Sequence, residues 1–266
     1  MRIFRKLSRY YEMLQLHKHF RTYFQVVPAV NDELVREAQM IRHDVYSCEL
    51  GWEPVSADGL EKDAHDSRSL HCLLRAVRSQ RYIGCVRLVL PQMQDSALTL
   101  PLQQVCAGQL DAGYPDVAAM SRGEVAEVSR LAIISDYRRR KNEQGRPMGI
   151  AEEDYKLQGR RRFPYIPVGL YIGMLHVASY HGIKTLYILT EPMLASHFSR
   201  LGGNLKPIGT AIEHRGKRRP YVMDVDLVLK KSHPMLRPLI WMIGRDVRRQ
   251  LEIDNKALNT EAIMES

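Results

Sequence analysis

The chain has 266 residues, 45% of them hydrophobic, which suits one large domain or two small ones with an ordinary buried core. Its net charge of +9 is uneven: residues 1–24 hold 6 bases against 1 acid, residues 138–162 hold 9 against 4, residues 230–250 hold 6 against 1, and the remainder is net acidic. Such basic patches suit polyanions, acidic proteins or anionic lipid surfaces, while the lack of a leader pattern and of any apolar run near the roughly 20 residues of a membrane span points to a cytoplasmic protein.

Phe4, Leu7, Tyr11 and Leu14 stand at helical spacing among basic residues, so residues 1–22 predict an amphipathic helix that lies on the body or on a membrane face. YFQVVPAV reads as a strand. NDELVREAQMIRHDVYSCELGW then reads as a helix capped by Asn31 or Asp32, with Leu34, Ala38, Ile41 and Val45 as its apolar stripe. The loop GLEKDAHDSRS sets Glu61, Asp63 and Asp66 within six positions of a basic chain, at a spacing that aligns neighbours on extended backbone rather than on a helix. Strands SLHCLLRAV and YIGCVRLVL follow. A loop rich in Pro, Gln and Gly leads to a further strand, VAEVSRLAII.

Residues 138–167 form a polar, basic connection longer than the about 12–15 residues usual for structureless loops in compact domains. Beyond it come a helix, VGLYIGMLHVASYHG, closed by Gly182, a buried strand, KTLYILTE, and a helix, PMLASHFSRLGG, starting on Pro192. GTAIEHRGKRRPYVMDVDLVL reads as a hairpin turning at Arg215 and Gly216. MLRPLIWMIGRDVRRQL reads as a last amphipathic helix ahead of a polar tail. The expected organisation is a helix over 1–22, a body over 23–230 and a helix with tail over 231–266, in an α/β or α+β class.

Three charges break the strand pattern: Arg87 in CVRLVL, and Glu127 and Arg130 in VAEVSRLAII. A buried unpaired charge is penalised by several kcal/mol, so each must be paired, hydrated or set in a cleft. Glu127 and Arg130 fall on opposite faces of a regular strand, and sharing one site requires a β-bulge between them. A structural ion pair, or Arg87 reaching out from a strand edge, explains the same residues without chemistry.

In order along the chain, IRHDVYSCELGW, GLEKDAHD, VRLVLP and EVSRL resemble the signature of the acyl-homoserine-lactone synthases. That signature is an Arg, an aromatic, a Gly-Trp, E-x-D-x-x-D, R-L and E-x-S-R. Here it falls on Arg42, Tyr46, Trp52, Glu61, Asp63, Asp66, Arg87, Glu127 and Arg130, with tyrosine where the family usually has phenylalanine. Over residues 22–230 the segments YFQVVPA, DGLEKDAHDSRS, VSRLAI followed by RRR, PYIPVGLY, HGI, EP and PIG resemble the acyltransferases associated with exosortase (PEP-CTERM) systems. Both groups, like the N-acyl amino acid synthases, fall in the GNAT-like N-acyltransferase superfamily.

The resemblance implies a GNAT-like acyl-CoA N-acyltransferase fold, with a central mixed, mostly antiparallel twisted sheet flanked by helices. It implies transfer of a fatty acyl group from a thioester to the amine of an amino acid or related small amine. Such transfer needs a neutral amine, a positioned thioester and donors for the oxyanion. Glu127 is the expected general base beside Arg130. Arg42, Tyr46, Trp52, Glu61, Asp63, Asp66, Arg87 and Ser129 are the expected acceptor-pocket residues. Asp63 and Asp66 either bind a cationic amine or brace the arginines, and the sequence leaves both open.

The donor's pantetheine arm is expected beside Leu131 and Ile133, with Gly169 at a helix N-terminus. SDYRRRKNEQGRP does not fit the Q/R-x-x-G-x-G/A loop with which many GNAT enzymes read coenzyme A. Arg138, Arg139, Arg140 and Lys141, with the later Arg160, Arg161 and Arg162, instead suit an acidic acyl carrier protein, with a solvated loop or a nucleic-acid patch as the alternatives. No tightly bound cofactor and no metal are expected. The four cysteines form no C-x-x-C pair and read as free thiols, and no protein nucleophile stands out. The alternatives are a lactone synthase using S-adenosylmethionine and a non-catalytic module for nucleic acid or lipid. The chain has no recognised nucleic-acid-reading motif, so no nucleic-acid partner is expected. Peripheral contact of the terminal helices with the inner membrane face is a further expectation.

Overall fold

Six long strands carry the architecture: β1 (Phe24–Pro28), β2 (Ser69–Ala76), β3 (Tyr82–Val89), β4 (Val125–Ile133), β5 (Thr185–Thr190) and β6 (Lys217–Asp224). They lie side by side in that order, with Lys206–Pro207 on the far edge of β6 and Ile212–Glu213 paired to its start. All neighbours are antiparallel except β4 and β5, which run parallel. The computed structural model describes residues 16–94, 97–114, 116–138 and 165–264. The expectations resting on Phe4, Leu7, Tyr11 and Leu14, on Arg139, Arg140 and Lys141, and on Arg160, Arg161 and Arg162 lie outside the described residues.

Strand alternation sorts the side chains onto two faces. One face meets helix α2 (Asp32–Arg42): the Cys85 thiol reaches the Ala38 carbonyl at 3.7 Å, and Leu73, the register partner of Cys85, shares that face. Asn31 caps α2 by accepting from the Leu34 N–H at 2.9 Å, as expected, and Asp32 and Glu33 favour its first turn. The helix then widens into a π-helical segment, His43–Glu49, that buries Val45 and Tyr46.

The other face meets α3 (Tyr165–Tyr180). A Cβ on Gly169 would sit 2.4 Å from Phe20 Cε2, and one on Gly173 2.4 Å from Val26 Cγ1, so these glycines let α3 settle against β1 and against α1 (Leu16–Tyr23). Gly169 is therefore a packing position one turn inside a helix that begins at Tyr165, rather than at its first residue.

After β5 come α4 (Pro192–Arg200) and, after β6, α5 (Val225–Lys231), a stretch that by sequence belongs to the hairpin and that is helical, with Asp224 capping it by accepting from the Leu227 N–H at 2.7 Å. The hairpin turn itself falls at Arg215 and Gly216, both at positive φ. The last helix, α6 (Arg237–Met264), runs through the stretch read as a polar tail. Leu239, Ile243 and Val247 bury it in the main core beside α1 and α3. No described helix is long and apolar enough to cross a membrane.

The connection between β3 and β4, which the sequence reads as a loop, contains regular structure among its described residues. It holds the two-stranded pair Gln92–Gln94 and Ala97–Thr99, and a short helix, Pro101–Val105. Leu100, Leu102, Cys106 and Val117 pack there with Val125, Tyr187 and Val222 into a second, smaller core.

Candidate active site

The acidic loop is pinned to α2, with the Glu61 N–H donating to the Gln39 carbonyl at 3.1 Å. Within the loop the Asp63 N–H donates to Asp66 Oδ2 at 3.0 Å and the His65 N–H to Asp63 Oδ1 at 2.9 Å. Arg42, wholly buried at the end of α2, donates through Nη1 to Asp66 Oδ1 at 2.6 Å and through Nε to Glu61. Arg87 on β3 donates through Nη1 to Asp63 Oδ1 at 2.7 Å and to Asp66 Oδ1 at 2.8 Å, and through Nε to Ser129 Oγ at 3.0 Å. Arg130 on β4 reaches Glu61 Oε1 at 2.9 Å, Glu53 Oε1 at 2.8 Å and Asp63 Oδ2 at 3.3 Å. In this arrangement Asp63 and Asp66 are each paired with arginines.

Burial opposes ionisation in this lattice, and pairing overcomes it. Burial works against the Arg42 charge, yet its bonds to Asp66 and Glu61 raise its pKa. Burial likewise works against the Asp63 carboxylate, but the Arg87 guanidinium holds it well below the usual carboxylate range. His71, the register partner of Arg87, differs. Burial, reinforced by Arg42, lowers its pKa to about 4, and neither ring nitrogen has a hydrogen-bond partner.

The expected bulge is present. Arg87 pairs with Ser129 and Cys85 with Ala132, so Arg130 and Leu131 together oppose Val86, and Arg130 takes φ +52°. The extra residue puts Glu127, Ser129 and the Arg130 guanidinium on the α2 side of the sheet. It also turns Ile133 to the opposite side, where it is buried beside Gly84. The Ile133 side chain is thus in the core, and Leu131 is half-buried. Arg138 ends the short helical turn Ser135–Arg138 that follows β4.

Tyr46 donates through its hydroxyl to the Leu131 carbonyl at 2.9 Å, stacks on Trp52 at 5.9 Å, and lies 5.4 Å below the Arg130 guanidinium. Glu127 is buried, 7% exposed, on the same face. Its Oε2 accepts from the Leu102 N–H at 2.6 Å, a first-turn donor of Pro101–Val105 that has no acceptor within its helix. Burial pushes the Glu127 carboxyl up to about 7, against the pull of the Leu102 N–H and of Arg87, Arg68 and Arg130. Burial also lifts the Cys85 thiol to about 12 and the Cys106 thiol to about 11, which suits neither as a nucleophile.

Beyond Glu127 the sheet opens. β4 and β5 stay paired from Val125↔Thr185 to Val128↔Ile188, and then part although both strands continue. Two arginines outside the expected site residues join this region through the loop after α2. Arg215 Nη1 donates to Glu53 Oε1 at 2.7 Å, and Arg218 stands 5.6 Å over the Trp52 ring, so the hairpin tip is tied across to the loop after α2. An odd charge run, HRGKRR, was their one sequence signal.

Residues 41–146 match the family model described as an acetyltransferase (GNAT) domain. No curated protein matches the chain. Among solved structures, TofI in a ternary complex with an inhibitor and MTA aligns with a TM-score of 0.55 at 20% identity, over 80% of this chain and 96% of that one. The CoA-dependent acyl-homoserine lactone synthase MesI aligns at 0.53 and 19% identity, over 81% and 95%. A third, the CoA-dependent acyl-homoserine lactone synthase BjaI with SAM and isopentyl-CoA, aligns at 0.50 and 19% identity, over 83% and 90%. The fold is GNAT-like, and the matched domain and fold together define an N-acyltransferase.

Proposed function

We propose that this N-acyltransferase moves a fatty acyl group from an acyl-carrier-protein or coenzyme A thioester to the amine of an amino acid or related small amine. The observation that carries this reading is Glu127, a buried carboxyl with its pKa raised to about 7, on the strand that parts from its parallel neighbour. A base of that strength takes the proton of an ammonium near neutral pH. The opening between β4 and β5 suits an extended pantetheine arm, whose amide groups find unpaired strand edges there. Attack of the neutral amine on the thioester carbon then forms the amide bond and releases the thiol. Arg130 and Ser129 position the site beside Glu127, and Arg42, Tyr46, Trp52, Glu61, Asp63, Asp66 and Arg87 shape the acceptor side.

The basic residues after β4, beginning at Arg138, favour an acidic carrier protein as donor; a steep loss of carrier affinity with added salt tests this. The sequence segments quoted above support grouping the chain with exosortase-associated acyltransferases. Trp241, 66% exposed with the Arg245 guanidinium 5.0 Å over its ring, gives α6 an aromatic and basic outer face suited to peripheral membrane contact.

A second reading, an acyl-homoserine-lactone synthase using S-adenosylmethionine, draws on the ordered set from Arg42 to Arg130. Mass spectrometry of reactions containing acyl-carrier-protein thioesters, S-adenosylmethionine and the amino acids separates the two. An N-acyl amino acid or a lactone that disappears with Glu127→Gln names the product. Thioester left intact with every amine would overturn the reading.

A further inference from the structure

The charges gathered around this site do not balance. Glu53, Glu61, Asp63 and Asp66 are matched by Arg42, Arg87, Arg130 and Arg215. Arg68 has no carboxylate partner and its Nε is buried without a hydrogen-bond partner among the described residues, but its Nη atoms are taken by the Leu90 carbonyl and His65. The other unmatched arginine is Arg218. Among the described residues its partners are the face of Trp52 and the through-space pull of Tyr46 and Glu191, and its Nε is buried with no hydrogen-bond partner there. His214, whose pKa burial lowers, adds no second cation there.

Strand alternation places Arg218 on the face that bears Glu127. Val222 pairs with Tyr187 and Tyr187 with Glu127, and Arg218 lies four residues before Val222 on the same strand. β4 and β5 part between these two residues. A guanidinium that is partly desolvated and short of acceptors is a receptor for a carboxylate, which it binds through two parallel N–H donors.

We propose that Arg218 holds the carboxylate of the acceptor, with its amine toward Glu127, so that the acceptor is an α-amino carboxylate and not a bare amine. This rests on the acyltransferase reading above and deepens it. Free amino acids and S-adenosylmethionine both satisfy it. Trp52 flattens the guanidinium against its ring and Arg215, tied to Glu53, fixes the hairpin, so both position Arg218.

The test compares each acceptor with its primary amide. Steady-state rates are measured with a dodecanoyl-carrier-protein thioester for wild type, Arg218→Gln and Arg218→Lys, and calorimetry follows binding of N-dodecanoylglycine and of its primary amide. In Arg218→Gln the acceptor KM is expected to rise roughly 10- to 150-fold, with the thioester KM and kcat kept, and the preference for acid over amide to vanish. Arg218→Lys keeps part of the preference, because charge survives and the planar fork does not. A packing role alone leaves the acid-to-amide ratio unmoved.

The proposal is overturned if wild type treats acid and amide alike, or if Arg218→Gln raises the thioester KM instead. A wild type that consumes no thioester yet binds N-dodecanoylglycine in preference to its amide, through Arg218, sinks the reaction and spares the site. Turnover without that preference does the reverse.

Discussion

Two groups of buried charge lie on one face of the same sheet and have been treated in opposite ways. Around Arg42, Arg87 and Arg130 every guanidinium meets carboxylates at hydrogen-bond distance, and Asp63 and Asp66 stay ionised despite burial. A few residues along β4, Glu127 accepts a backbone N–H instead of a guanidinium, and burial wins. Matched charges of this kind hold geometry; a lone carboxyl tuned to neutrality is suited to moving protons. On the function proposed above, the lattice is scaffold and Glu127 is the base, and substitution tells them apart.

The largest effect is expected from Arg42→Met. It leaves Glu61 and Asp66 buried with one cation fewer each, a loss of about 3–5 kcal/mol, read as a lower urea midpoint. A folded protein with an unchanged midpoint would mean that water reaches this cluster and that the lattice is not holding α2 to the sheet.

Glu127→Gln is the mirror case, since a carboxamide oxygen still accepts from the Leu102 N–H. Turnover is expected to fall roughly 10²- to 10⁴-fold. In wild type, kcat/KM should rise with pH up to about 7, where the base becomes free, and Glu127→Gln should lose that rise. Stability moves the other way. The folded pKa is raised from 4.5 to about 7, so the native state holds the extra proton and loses stability as pH climbs through that window. At pH 8 the variant is therefore expected to be more stable than wild type, by roughly 1–3 kcal/mol, and about equal at pH 4. A variant that melts lower at pH 8 would place Glu127 within the scaffold.

His71 sharpens the contrast from inside the lattice, where Arg42 and Arg87 oppose its protonation, Asp66 and Asp63 favour it, and burial decides. Its folded pKa, about 4, lies below the ordinary 6.5, so the unfolded chain binds the proton first and stability falls as pH drops from about 6.5 toward 4. Asp63 and Asp66 lose their contribution only below the ordinary 3.8. In His71→Gln the acid slope between pH 6.5 and 4 should flatten by roughly 1–3 kcal/mol, measured as urea midpoints at stepped pH. An unchanged slope would assign acid lability to other groups.

Much of this was legible in the chain. Periodicity located the main strands and helices, and charges at apolar strand positions marked Arg87, Glu127 and Arg130 before any geometry was known. Their three-residue spacing implied the bulge that puts Arg130 at positive φ. What stayed hidden depends on contacts distant in sequence. Leu102 bonds Glu127 because the ordered segment after β3 folds back onto β4, and Gln, Pro and Gly there gave no period to read. Arg215 and Arg218 reach Glu53 and Trp52 across more than 150 residues, and HRGKRR looks like any solvated hairpin tip. The helix start near Gly169 fell at Tyr165 instead, since a glycine at a helix start and one packed against Phe20 look alike in sequence.

The smallest effect is expected at Tyr46, where phenylalanine is usual in the lactone-synthase signature. Tyr46→Phe removes one hydrogen bond, from the hydroxyl to the Leu131 carbonyl beside the bulge, and keeps the ring that stacks on Trp52 and carries Arg130. Replacing both the donor and its solvation by a C–H costs about 0.5–1.5 kcal/mol, so a modest drop in urea midpoint should come with a kcat within a few-fold of wild type. The Tyr46 hydroxyl is buried and its pKa raised far above neutrality by burial, so it enters the comparison as a neutral donor to the scaffold. A kcat that falls a hundredfold with the midpoint unmoved would transfer Tyr46 to the Glu127 side of the divide, as a group acting on the reacting atoms through the opening between β4 and β5.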